Sequence, residues 1–189
     1  IITIKEYGGP RSERAPVYEK LNFDYALDLS GSSAGIVTTN YSQSINTVEL
    51  RFRTADVVTN PTMPSTMNLF TVGSNTVSMD FVSGNKASIR INGASSAPIE
   101  MYDGGWLTAM LRTKGAELEV VVKRSKYGKI VAAASASITA TFPAAGSVII
   151  GGTVSGSRLV GQVQELRLWS SSLSAVSYTH LTLPTILRV

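Results

Sequence analysis

The feature that most constrains this chain is an apolar–polar alternation with a period of two, recurring in short runs separated by turn-forming residues. Successive side chains of an extended strand point to opposite faces, so such a run gives one greasy face and one polar face. Leu21, Phe23, Tyr25, Leu27 and Leu29 share one parity, and Asn22, Asp24 and Asp28 hold the other. Val48, Leu50 and Phe52 alternate with Glu49, Arg51 and Arg53. Val77, Met79 and Phe81 alternate with Ser78 and Asp80, and Ala87, Ile89 and Ile91 with Ser88 and Arg90. No long window keeps the 3.6-residue period of a helix.

Turn residues punctuate the runs. Ser83-Gly84-Asn85-Lys86 is a tight-hairpin signal between two alternating segments, and Asn92-Gly93 marks another turn. Trp106 to Leu111 and Leu118 to Val122 are apolar at both parities, which suits strands covered on both faces. Lys114-Gly115 separates these two, and Tyr127-Gly128 ends the second. Ile130 to Ala134, Ser147 to Ile150 and Leu159 to Trp169 complete the set. About ten or eleven short strands with turns every 8–12 residues predict a sandwich or barrel of one domain. Composition agrees: charged residues make up 16% of the chain, against about 25% in an ordinary domain, and Ser, Thr, Gly, Ala and Val fill the gap.

Three segments are expected. Residues 1–20, with Gly8-Gly9-Pro10 and several charges, read as a linker or the end of a preceding domain, and residues 21–175 as the sandwich. Residues 176–189 change character. Val176 to Thr185 (V-S-Y-T-H-L-T-L-P-T) resembles one reading frame of the transposase adapter used in sequencing libraries, and so reads as a non-native tail. That stretch holds His180, the single histidine of the chain. The chain begins at Ile1 with no initiator Met and no leader pattern, as a fragment would.

Several chemistries lack their residues. With no cysteine there is no disulfide framework and no thiolate zinc site. No apolar run reaches the roughly 18 residues of a membrane-spanning helix, so no membrane insertion is expected. The net charge of +4 is scattered. The cluster from Lys123 to Lys129 reads as a solvated turn, so no nucleic-acid partner is expected. A serine nucleophile has no histidine base once the tail is set aside. Gly8-Gly9 and Gly151-Gly152 lack the following helix that a phosphate loop requires and read as turns.

Three stretches resemble the laminin G-like, concanavalin A-like jelly-roll family, which also holds lectins and glucanases. Ala26-Leu27-Asp28-Leu29-Ser30-Gly31 looks like its opening strand. Gly105-Trp106, Leu107 to Leu111 and Lys114-Gly115 look like a later strand and turn. Gly161 to Trp169, followed by Leu173-Ser174, resembles the closing strand and the short helix after it. There the apolar positions change parity between Val163 and Leu166, which a β-bulge at Gln164-Glu165 would explain. Leu107-Thr108 stands where many relatives carry histidines, and Lys126-Tyr127-Gly128 where they have an aspartate before the glycine.

The resemblance implies an all-β fold, an antiparallel two-sheet jelly-roll sandwich. Its implied role is a non-catalytic, lectin-like recognition module for glycan or a protein surface, at the cell surface, outside the cell or on a virion. The alternative is a structural domain of a phage tail fibre or spike, in a homo-oligomer within a larger assembly. A third reading is a glucanase-like hydrolase. That chemistry needs paired carboxylates on one strand face. Glu117 and Glu119 are the nearest pair, but Val121 and Lys123 continue their face, which reads as solvated. Glu165 reads as isolated. The resemblance also admits a calcium ion at the rim, for which Asp56 and Asp103 are the acids in loop-like stretches. Sugar contact would need an exposed aromatic among polar neighbours. Trp106 and Trp169 read as core. Of the loop-like tyrosines Tyr41, Tyr102 and Tyr127, Tyr102 beside Asp103 is the expected ligand contact.

Overall fold

In the computed structural model of this chain the alternating runs become antiparallel strands. The structure describes residues 17–29, 37–54, 65–83, 86–100, 105–126, 129–151 and 157–173. In chain order the strands are β1 (Val17–Asp28), β2 (Val37–Tyr41), β3 (Thr47–Thr54), β4 (Thr66–Val72), β5 (Asn75–Ser83), β6 (Lys86–Ile91) and β7 (Ala94–Ser95). They continue with β8 (Ile99–Glu100), β9 (Leu107–Lys114), β10 (Glu117–Lys126), β11 (Lys129–Ile138), β12 (Gly146–Ile150) and β13 (Gly161–Trp169).

A six-stranded sheet has the order β1-β13-β3-β9-β10-β11, and a seven-stranded sheet the order β2-β12-β4-β5-β6-β7, with β8 also on β6. The chain switches sheets at every step from β1 to β4 and again from β11 to β13. As a result β13 inserts between β1 and β3, and β12 between β2 and β4. This is the antiparallel two-sheet jelly-roll sandwich that the alternation and the resemblance predict.

The inner face of β3 is the one parity selects, whereas β9 and β10, apolar at both parities, have theirs set by strand pairing. Val48, Leu50 and Phe52 of β3, Leu107, Ala109 and Leu111 of β9, and Leu118, Val120 and Val122 of β10 are buried from one side. Met67, Val77, Met79, Ile89 and Ile91 meet them from the other sheet in one continuous core. As their two-sided apolar character requires, β9 and β10 are interior strands. Met110 and Val121 lie buried on the outer face against Leu173.

Turn chemistry holds at the β9–β10 hairpin, whereas Gly84-Asn85 between β5 and β6 lie outside the described residues. The β9–β10 loop is Gly115-Ala116, closed by the Lys114–Glu117 pair. Gly115 has φ +62°, the left-handed first position of a two-residue hairpin loop. The bulge expected in β13 is present: Val163 faces Phe52, and Glu165 rather than Gln164 faces Arg51. That extra residue lets both Val163 and Leu166 point inward.

Some expectations are corrected. Tyr41 is no loop residue. It ends β2, is buried, and its hydroxyl donates to the carbonyl of Pro143 at 3.3 Å. Lys123, read as part of a solvated turn, lies within β10 and is only 6% exposed. Strand β11 continues past Ala134 to Ile138. Strand β1 starts at Val17, inside the stretch read as a linker. Strand β2 carries too few large apolar residues to stand out in the sequence, and in β4 the parity changes between Leu69 and Phe70, at a bulge, which breaks the alternation. Tyr127, Ser174 and the 176–189 tail lie outside the described residues. No helix among the described residues is long and apolar enough to cross a membrane.

Candidate recognition surface

Inward placement of Leu50 and Phe52 forces Glu49, Arg51 and Arg53 onto the outer face of the six-stranded sheet. Pairing then sets their neighbours. Glu49 lies between Arg167 of β13 and Met110 of β9, Arg51 between Glu165 and Thr108, and Arg53 beside Gln162. On the next strands Glu119 lies beside Arg112, and Lys123 beside Thr108.

One end of this face is tied up internally. Arg112 forks onto Oε2 of Glu119, with Nε at 2.8 Å and Nη2 at 2.5 Å, and Nζ of Lys114 donates to Oε1 at 2.7 Å. Burial pushes the Glu119 carboxyl up. The hydrogen bonds and charges of Lys114 and Arg112 outweigh it and hold the group below the usual carboxylate range. Arg112 also donates to the Leu173 carbonyl at 2.7 Å, fastening the segment after β13. The expectation of a solvated Glu117–Glu119 face therefore fails at Glu119, which is buried. Glu165 is not isolated either: Arg167 pairs with it at 2.7 Å and with Glu49 at 3.3 Å.

At the other end the arrangement is different. Trp106 directly precedes β9. Leu107 points inward, so Trp106 emerges on the outer face, half-buried, and not in the core as its sequence context suggests. The guanidinium carbons of Arg51 and Arg53 stand 5.5 and 5.3 Å from its ring centroid, within the range of a cation–π contact. Nε of Arg53 donates to the side-chain oxygen of Gln162 at 2.8 Å. Neither guanidinium lies against a carboxylate of the described residues. Parity alone could have found this cluster, because Trp106 shares its parity with Thr108, Met110 and Arg112 and opposes Leu107, Ala109 and Leu111. Trp169 is buried, as expected, though outside the main core cluster.

The outer face of the seven-stranded sheet is polar and built of small groups. Asp80 accepts from the Thr66 hydroxyl at 2.8 Å and lies 3.4 Å from Arg90. Ser78 and Ser88 beside them are buried.

Tyr102 and Asp103, the expected ligand contacts, lie outside the described residues, as does Asp56. They precede Gly105 and Trp106 in the chain. Among the described residues no three His, Cys, Asp or Glu side chains converge, and both acids named for calcium lie outside them.

No protein-family model and no curated protein matches the chain. Solved structures do. A native heptameric SAP-like pentraxin from Limulus polyphemus is similar at a TM-score of 0.51 and 16% identity, over 82% of this chain and 78% of that one. The CBM40 of the Ruminococcus gnavus IT-sialidase, bound to alpha2,3 sialyllactose, is similar at a TM-score of 0.51 and 11% identity, over 86% of this chain and 97% of that one. At such identities the likeness shows the fold alone: this chain is an antiparallel two-sheet jelly-roll sandwich.

Proposed function

We propose that this domain is a non-catalytic, lectin-like recognition module that docks a glycan on the outer face of its six-stranded sheet, around Trp106. The observation that carries the reading is the half-buried indole flanked by Arg51 and Arg53, with Gln162 bonded to Arg53, an apolar ring among hydrogen-bonding groups. In sequence Tyr102 and Asp103 shortly precede Trp106, and both belong to the proposed contact, Tyr102 as a stacking ring and Asp103 as an acceptor for sugar hydroxyls away from the arginines. Support comes from the CBM40 likeness, whose structure holds a sialylated sugar. Hydrolysis has no support. The best-placed acid, Glu119, is clamped as a carboxylate by two cations and cannot donate a proton to a leaving group. Such a module belongs in a larger extracellular or virion protein. The test is a glycan array probed with the purified chain. Binding to a coherent set of glycans is expected, and a clean negative across neutral and charged arrays would overturn the reading.

One observation favours a second reading, a structural domain of a fibre or spike. Strand β11 is an edge of its sheet, ten residues long, pairs among the described residues only with β10, and carries Ala, Ser, Ile and Val with one terminal Lys. It has few of the charges and no proline of the kind that keep edges from pairing. A stable oligomer of the full gene product that a Ser135→Pro change dissolves is expected on this reading. A strictly monomeric product counts against it.

A further inference from the structure

Among the described residues, the Arg51–Trp106–Arg53 cluster holds two guanidiniums on one ring with no ion pair to either, and that points to the chemical class of its ligand. Arg90, Arg112 and Arg167 each lie against a carboxylate: Asp80, Glu119, and Glu49 with Glu165. Among the described residues Arg51 and Arg53 form no such ion pair, although Glu165, held by Arg167, stands across from Arg51. The Arg51 guanidinium makes no hydrogen bond to the described residues, and that of Arg53 spends only its Nε on Gln162. Both guanidiniums nevertheless stand over the same indole, at 5.5 and 5.3 Å. Two like charges are thus held within about one Debye length, roughly 10 Å at 0.1 M salt, where their repulsion is only partly screened.

The ring contact limits the freedom of both side chains, so their donors are partly ordered before anything binds. Strand geometry adds to this. Residues two apart on β3 project from the same face, and Gln162 on β13 fixes the stem of Arg53. The terminal nitrogens of Arg53 and the guanidinium of Arg51 are left as a paired set of donors. Guanidinium forks match the two oxygens of a carboxylate or sulfate, and an oxyanion placed between them removes the repulsion.

We propose that this cluster is an oxyanion site and that the glycan it takes is acidic, bearing carboxylate or sulfate groups. The proposal rests on the recognition reading and names its ligand class. A nucleic acid is disfavoured because a phosphate backbone needs a tract of cations, whereas Arg112 and Arg167 along the same face are already paired with acids.

The test uses the full chain with four probes: polygalacturonate, dextran sulfate, neutral dextran and single-stranded DNA, in affinity electrophoresis at low and high salt. Polygalacturonate or dextran sulfate is expected to retard the chain at least tenfold more strongly than neutral dextran, less so at high salt. The Arg51→Ala/Arg53→Ala double variant should lose at least tenfold of that binding with an unchanged urea midpoint. An Arg51→Lys/Arg53→Lys variant, which keeps charge but loses the fork, should fall between. The two acidic polymers separate a carboxylate preference from a sulfate one. Equal binding of neutral and acidic glycans, acidic binding indifferent to the double variant, or single-stranded DNA bound as tightly through the same arginines would each overturn the proposal and leave glycan recognition to be judged by the array. Binding of none of the glycan probes, with a clean negative on the array, would remove the recognition reading itself.

Discussion

Arg112 and Glu119 face each other across β9 and β10 in a two-point fork, Nε at 2.8 Å and Nη2 at 2.5 Å from a single carboxylate oxygen. The Arg112 side chain is 12% exposed, so its charge depends on this partner. Glu119→Gln strands it, and removing one member of a buried pair costs about 3 kcal/mol. The carboxyl is held below its ordinary value of 4.5, so its contribution is present above pH 4.5 and is lost as the pH falls through the lower folded-state value. Urea unfolding should show the variant weaker at neutral pH and converging with the parent in acid. A constant gap at all pH values would mean that packing, not charge, sets the loss.

Lys123 carries the opposite sign. Burial pushes its ammonium below the ordinary 10.5, the charge of Arg112 adds to that, and the charge of Glu49 opposes it. A lysine that loses its proton more easily in the folded state makes the fold gain stability as the pH rises from the lowered value toward 10.5. Lys123→Met removes this titration, so the variant should lose stability relative to the parent as the pH rises toward 10.5. Urea midpoints of the two chains that stay parallel across that range would show that the ammonium is not shifted where it stands.

Gly161 and Gly93 make a matched pair for thermal melts. A Cβ on Gly161 would come within 2.1 Å of the Arg53 carbonyl oxygen and 2.9 Å of the Thr54 Cα, where β13 meets β3. Both are backbone atoms and neither can move without breaking the pairing. Gly161→Ala is therefore expected to cost about 3 kcal/mol or more. A Cβ on Gly93 meets nothing within 4 Å, so Gly93→Ala should stay within about 0.5 kcal/mol of the parent. Equal losses would contradict this account of the strand contact.

The bulge in β13 gives a deletion test. Val163 faces Phe52 and Glu165 faces Arg51, so Gln164 is the extra residue. Removing Gln164 leaves Val163 and Leu166 both inward and the register with β3 intact. Such a chain should fold, with near-ultraviolet circular dichroism like the parent's and a loss of about 1–2 kcal/mol. Removing Arg167 instead turns Leu168 outward and brings Trp169 inward, and that chain should not fold. Similar behaviour of the two deletions would refute the register.

Alternation let the sequence specify the strands and their inward faces, because which side a residue takes depends only on its neighbours along the chain. Phe52, Met79 and Ile89 are buried where parity places them, and the parity change at Gln164 announces its bulge. Surroundings were another matter. Glu119 read as solvated, Lys123 as a turn residue and Trp106 as core, since each role depends on strands far away in sequence. Only tertiary structure decided that β13 lies between β1 and β3, bringing the Thr47 hydroxyl to the carbonyl of Ser171 across 124 residues. The same non-local pairing set Arg167 beside Glu49, and Arg53 beside Gln162 and Trp106. Facing is a local property of a pleated chain. Which charge meets which, and which stays unpaired, depends on strand order, and strand order is settled by how two sheets close over one core.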